Sequence, residues 1–99
     1  MKTIRINTSY DEYDCELCGS DYAEGGEVYV DGSKVAEVEP VAHCYNGVKA
    51  SEYDLLVLAL ASAGVDVIVD GERMFISNYK VEEQRDKLLA DANRVSNHE

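Results

Sequence analysis

The stretch ASEYDLLVLALASAG, residues 50–64, is the strongest constraint the chain places on its own fold. Ser51 offers a hydroxyl to cap a helix, Asp54 stands three residues on in a capping-box arrangement, and Gly64 is placed as the C-terminal stop. Between them, Leu55, Leu56, Val57, Leu58, Ala59, Leu60, Ala61 and Ala63 make the helix apolar nearly all round. A surface helix shows one apolar stripe, whereas this one must be covered on most sides. In a chain of 99 residues, that means a sheet on one side and a second helix, or another subunit, on the other.

The rest of the chain supplies those covers. TIRINT, residues 3–8, alternates Ile4 and Ile6 with polar neighbours and predicts a half-buried strand. VYVDGSKV (28–35) is echoed by VIVDGERM (67–74), and Asp-Gly between β-formers predicts a tight hairpin in each, within 27–38 and around 67–74. Residues 9–25 are polar, tyrosine-rich and turn-prone. A second helix is predicted over about 79–95, with Ser77 or Asn78 as cap and Val81, Leu88, Ala92 and Val95 as its stripe. Its acids Glu82, Glu83 and Asp86 lie early and Arg94 lies late, in agreement with the helix dipole. The expected fold is α+β. An antiparallel sheet is built from an N-terminal strand and two hairpins, and two helices join it, one largely buried. Residues 1–99 form one domain, with an acidic knuckle-and-hairpin subregion at 11–44 and a helix-hairpin-helix subregion at 50–95.

The charge is lopsided. The net charge is −11, and residues 11–39 carry ten acidic residues against Lys34 alone. These are Asp11, Glu12, Asp14, Glu16, Asp21, Glu24, Glu27, Asp31, Glu37 and Glu39. Crowded like charges repel and oppose folding, so an even solubility coat would not need this concentration. Such a chain does not seek nucleic acid or an anionic membrane directly; it favours a protein partner with a basic surface. Tyr13, Tyr22 and Tyr29 lie among the acids, and tyrosine beside charge favours interfaces. The opening MKTIRINTSY has no apolar leader core and no apolar run is long enough to span a bilayer, so the chain reads as cytoplasmic. The apolar helix also makes a homodimer an open expectation.

Three cysteines, Cys15, Cys18 and Cys44, are an odd number and fit a reduced compartment better than a disulfide framework. They can be small buried hydrophobes, or zinc ligands. The run CELCGSDYAEGGEVYVDG, followed by AHC at 42–44, resembles a treble-clef or zinc-ribbon module over residues 15–44. That resemblance implies one structural zinc, with Cys15 and Cys18 as knuckle ligands, Cys44 third and His43 fourth. His43 and Cys44 are adjacent, where such modules space the second pair, so a turn has to bring both to one ion.

No phosphate loop, dinucleotide fingerprint, metalloprotease helix or nucleophile elbow occurs, and the Asp-Gly steps lack calcium-loop spacing. The expectation is a non-enzyme. In size and acidity the chain resembles small phage counter-defence proteins, anti-CRISPR proteins and DNA mimics among them. That implies inhibition of a nucleic-acid-binding host complex. A zinc-stabilised structural or regulatory protein-binding module is the alternative.

Overall fold

The structure, a computed structural model, describes residues 2–17, 19–43 and 47–96, the last two by backbone alone. Three strands, β1 (Ile4–Cys15), β2 (Gly19–Val30) and β3 (Ser33–Val38), form an antiparallel sheet in the order β1-β2-β3. Helix α1 (Glu52–Ser62) follows, then a short ribbon of β4 (Ile68–Val69) and β5 (Glu72–Arg73), then α2 (Tyr79–Ser96). The α+β class is as the sequence predicts, with the second hairpin standing as its own two-stranded ribbon.

Both Asp-Gly steps make the expected turns. Asp31 and Gly32 have φ of 51° and 84°, and Asp70 and Gly71 have 52° and 85°. Two successive positive φ values define the turn whose twist matches that of its flanking strands, and glycine takes the second without a Cβ penalty. An extra residue, Val35, sits in β3 where the register slips between Val28 and Tyr29, which adds local twist to the sheet.

Helix α1 finds both covers within its own chain. It packs on all three strands of the sheet and on α2, burying Leu55, Val57, Leu58, Ala59 and Ala61. Val28, Ala36 and Val38 meet it from the sheet and Val81 belongs to the same cluster, with Ile6, Val30 and Leu88 packed at its edge. The capping box is closed: the Asp54 N–H donates to Ser51 Oγ (3.2 Å) and the Ser51 N–H to Asp54 Oδ2 (3.0 Å). At the other end Gly64 has φ 81°, its N–H donates to Ala61 O, and the Val65 N–H reaches back to Leu60 O. Those two bonds satisfy carbonyls the helix leaves open.

Helix α2 begins after Asn78, whose side-chain oxygen accepts the Lys80 N–H (3.1 Å). Val81 is buried and Leu88 and Ala92 are half-buried, as the stripe predicts; the Val95 side chain lies outside the described residues. The pattern hides Arg85, which lies between Val81 and Leu88 and is only 4 % exposed. Its guanidinium donates to Met74 O (2.8 Å) and to Asp86 Oδ1 (3.3 Å). A buried cation needs such partners, because an unpaired one is strongly destabilising. Arg73 bridges Asp66 (2.8 Å) and Asp86 (2.9 Å), tying the second hairpin to α2.

The hydrogen bond from Arg73, opposed by some desolvation and helped by Arg85, holds the Asp86 carboxyl below its ordinary pKa. A carboxylate with a depressed folded pKa stabilises the fold fully above its unfolded value, and that contribution disappears as pH falls through the folded one. Asp86→Asn is therefore expected to lower Tm at about pH 7, with the gap from the parent closing as pH approaches about 2. Thermal melts across that range check it; a gap that stays constant with pH would overturn it.

Candidate partner-binding surface

Residues 9–25, expected as a turn-prone connection, are instead the distal part of a long hairpin. β1 and β2 pair without interruption from Ile4↔Val30 to Cys15↔Gly19. β3 reaches only as far as Val38↔Gly26, so residues 9–15 and 19–25 continue beyond the three-stranded sheet as a two-stranded arm. Twelve residues at roughly 3.3 Å each carry β1 about 40 Å. The arm accounts for a long axis of 56 Å and a radius of gyration of 15.0 Å, against about 13 Å for a round domain of this size.

The Gly25-Gly26 pair marks the root of the arm. A Cβ on Gly25 would run into Val38 O and the Pro40 ring, and one on Gly26 would run into Asn7 O. The chain leaving β3 crosses β2 here, and only a residue without a side chain lets it pass. Beyond the crossing, Val41 and Val48 exchange backbone hydrogen bonds (both 2.9 Å) and close a strap. One leg of the strap lies on the arm: the Ala42 N–H donates to Asp11 Oδ2 (3.0 Å), and the His43 ring stacks on Tyr13 with centroids 5.1 Å apart. The other leg takes the open side of β2, where the Ala50 N–H donates to Glu24 O (2.7 Å).

The thirteen sequence-predicted partner residues divide between arm and sheet. At the sheet, Lys34 bonds Glu37 (2.6 Å) and approaches Glu27 (3.6 Å). Tyr29 donates to Glu27 (2.9 Å) and lies beneath Arg5, whose guanidinium carbon is 4.7 Å from the ring centre. The Glu27 carboxylate accepts best from a protonated phenol, so the Tyr29 pKa is raised, and the hydrogen bond to Glu37 raises that of Lys34. Asp31 accepts the Thr3 N–H (2.8 Å) in its turn, and Glu39 is exposed just after β3. This outer face of the sheet is thus largely neutralised from within.

The arm is not. Between Arg5 and Lys34 the chain contains no basic residue. Asp11, Glu12, Asp14, Asp21 and Glu24 stand on the arm's strands and Glu16 in its turn, all exposed. Among the described residues none of the six has an ion pair. Asp11 accepts the Ala42 N–H of the strap, and the other polar contacts are local: Ser20 Oγ donates to Asp14 (2.7 Å) and the Tyr22 N–H to Asp21 (2.9 Å).

Register sets which side chains share a face. The face on the α1 side pairs Tyr10 with Glu24 and Glu12 with Tyr22, each tyrosine opposite a glutamate. Tyr10 is 69 % exposed and Tyr22 59 %. The helix residue Glu52 also belongs to this surface, and nothing in the sequence put it near the arm. An open cleft of about 590 Å³ lies here, lined by Tyr10, Glu12, Tyr22, Glu24 and Glu52 with no basic side chain. The opposite face carries Asp11, Tyr13 and Asp21 beside the strap.

Of the four expected metal ligands, Cys18 and Cys44 lie outside the described residues. Cys15 is half-buried at the end of β1, and His43 is exposed on the strap. Tyr13, on which His43 stacks, is two residues from Cys15 and so on its face. Among the described residues no group of three potential ligands converges.

Asp11 is the side chain that ties the strap to the arm. Asp11→Ala leaves the Ala42 N–H without its acceptor, and a hydrogen bond to a charged group contributes about 1.5–3 kcal/mol. The expected result is amide exchange at Ala42 faster by about tenfold or more. Unchanged exchange there would mean that the His43–Tyr13 stack alone seats the strap. No protein-family model, curated protein or solved structure matches the chain.

Proposed function

We propose that this protein is a non-catalytic binder whose acidic arm occupies the basic nucleic-acid channel of a partner and inhibits it. The observation that carries the reading is a projecting ribbon with six carboxylates and no basic residue, while the ion-paired bases lie on the body. The arm beyond β3 is seven residue pairs long, roughly 23 Å. Six charges over that length come to about one per 4 Å, close to one nucleic-acid strand at about 3.4 Å and well short of a duplex at about 1.7 Å. Carboxylates stand where phosphates would meet Lys and Arg, and Tyr10 and Tyr22 offer flat rings between them. A channel that binds single strands combines those two features, basic groups and stacking platforms. The arm continues past the end of β3, so its outer end can enter a groove ahead of the core.

The test is affinity capture of the tagged protein from bacterial lysate with elution along a salt gradient. The expected result is one stoichiometric nucleic-acid-binding complex, released by salt and displaced by single-stranded DNA. Glu12→Lys with Glu24→Lys is expected to weaken that capture by about a hundredfold, since close charge pairs at interfaces contribute about 1.5–7 kcal/mol. Glu37→Lys, on the self-neutralised sheet, is expected to change it far less. A partner indifferent to salt and DNA, or equal loss at both sites, would overturn the reading.

The alternative is a zinc-stabilised protein-binding module, with Cys15, Cys18, Cys44 and His43 as ligands. What favours it is the strap, which seats His43 on the face of β1 that ends in Cys15. Cys15 and His43 are suitable zinc donors. A native mass spectrum is then expected to show one zinc, and chelation to lower Tm, because structural zinc contributes directly to folding. A folded, metal-free protein would exclude this reading.

A further inference from the structure

β1 is an outer strand of the sheet, and its free side runs the full twelve residues from Ile4 to Cys15. Two backbone hydrogen bonds fix which of its groups face outward. The Asp31 N–H donates to Thr3 O (2.9 Å), so odd-numbered residues of this strand direct their backbone groups toward β2. Glu24, opposite Tyr10, gives its carbonyl to Ala50 on the other side of β2, so this pair exchanges no backbone bonds. Ile4, Ile6, Thr8, Tyr10, Glu12 and Asp14 therefore direct N–H and C=O to the open edge. Among the described residues none of these groups is engaged by another segment.

Edges of this kind are usually blunted by proline, lysine, a bulge or a covering loop. From Ile6 to Cys15 the strand contains no proline and no lysine, its register with β2 never slips, and among the described residues of the strap, Ala42 and His43 lie on a face rather than on this edge. We propose that the β1 edge is a strand-addition site for an extended segment rich in Lys and Arg, supplied by the partner protein. Charge complementarity selects that occupant. A strand laid antiparallel along β1 alternates its side chains between the two faces, meeting Glu12 and Asp14 on one and Asp11 on the other. A second copy of β1 would bring like charges to those positions, which destabilises a cross-strand pair. The inference rests on the reading of the arm as a binder of basic protein surfaces, and it adds the binding mode: main-chain hydrogen bonds give the register and alternate basic side chains the selectivity.

The experiment uses the full chain and a peptide of alternating Lys and Val at low salt, with amide exchange followed residue by residue. The expected result is slowing of about tenfold or more at Thr8, Tyr10, Glu12 and Asp14, with little change at the odd-numbered amides already bonded to β2. Tyr10→Pro removes an outward N–H and is tolerated on an edge strand. It is expected to weaken the peptide by at least about tenfold, as loss of edge pairing requires, whereas Tyr10→Ala weakens it less. Peptide bound with those amides still exchanging fast, or bound equally by Tyr10→Pro, overturns strand addition and leaves the acidic arm as a charge surface. No binding of the peptide also overturns it. Failure of the arm reading itself has a separate signature, a lysate partner that DNA does not displace.

Discussion

Burial of α1 is the constraint from which the rest of the fold follows. Leu55, Leu58 and Ala61 are completely buried, and Val57 and Ala59 nearly so. Burying a leucine side chain contributes about 1.5–3 kcal/mol, and a helix apolar on opposing sides can realise that only between two layers. The sheet is one layer and α2 the other. Because α2 must reach the far side of α1, the Asp70-Gly71 hairpin and the Arg73 bridges set the position from which it starts. Arg85 fits the core because Met74 O and Asp86 lie within its reach.

The same constraint explains where the core stops. α1 spans eleven residues, and β3 matches it with six, ending opposite Gly26. Nothing apolar is left to cover the other half of β1 and β2, and an isolated two-stranded ribbon is marginal in water. The strap compensates. It seals the open side of β2 through Ala50 and pins the arm's outer face through Asp11 and the Tyr13–His43 stack. Ala23, buried to 3 % opposite Asp11, is the small residue that this crossing needs. The arm is thus held by a few polar and aromatic contacts against the mutual repulsion of its carboxylates.

What the sequence made legible was local. The capping box at Ser51 and Asp54, the glycine stop at Gly64, the two Asp-Gly turns and the α2 stripe each depend on residues within a few positions of one another. The arm was hidden because its cue is of a different kind. Residues 9–25 lack the apolar alternation of a half-buried strand, since neither face meets the core. Gly25 serves a chain crossing, whose other partner is Pro40, and Gly26 a close approach to Asn7 of β1. Charge showed the same division. The acidic bias of residues 11–39 was plain, but which acids are neutralised depends on where Lys34 lies, beside Glu37 of its own strand and Glu27 of β2. Sequence reasoning therefore pooled Glu27, Tyr29 and Glu37 with Glu12 and Glu24, which the fold separates. Arg85 escaped because a buried cation looks like a break in a stripe until its acceptors are in place.

Separation of the acids from the core ties stability to recognition. Carboxylates on a ribbon this thin raise each other's electrostatic energy, and only solvent, salt and a few local hydrogen bonds relieve it. A basic partner relieves the same repulsion directly. Under the proposed function, the energy that disfavours the unbound arm would become part of a preference for a cationic groove, and an uncharged groove would gain nothing from it. Under the proposed strand addition, the like charges that suit β1 to a cationic strand would also oppose its pairing with another copy of itself.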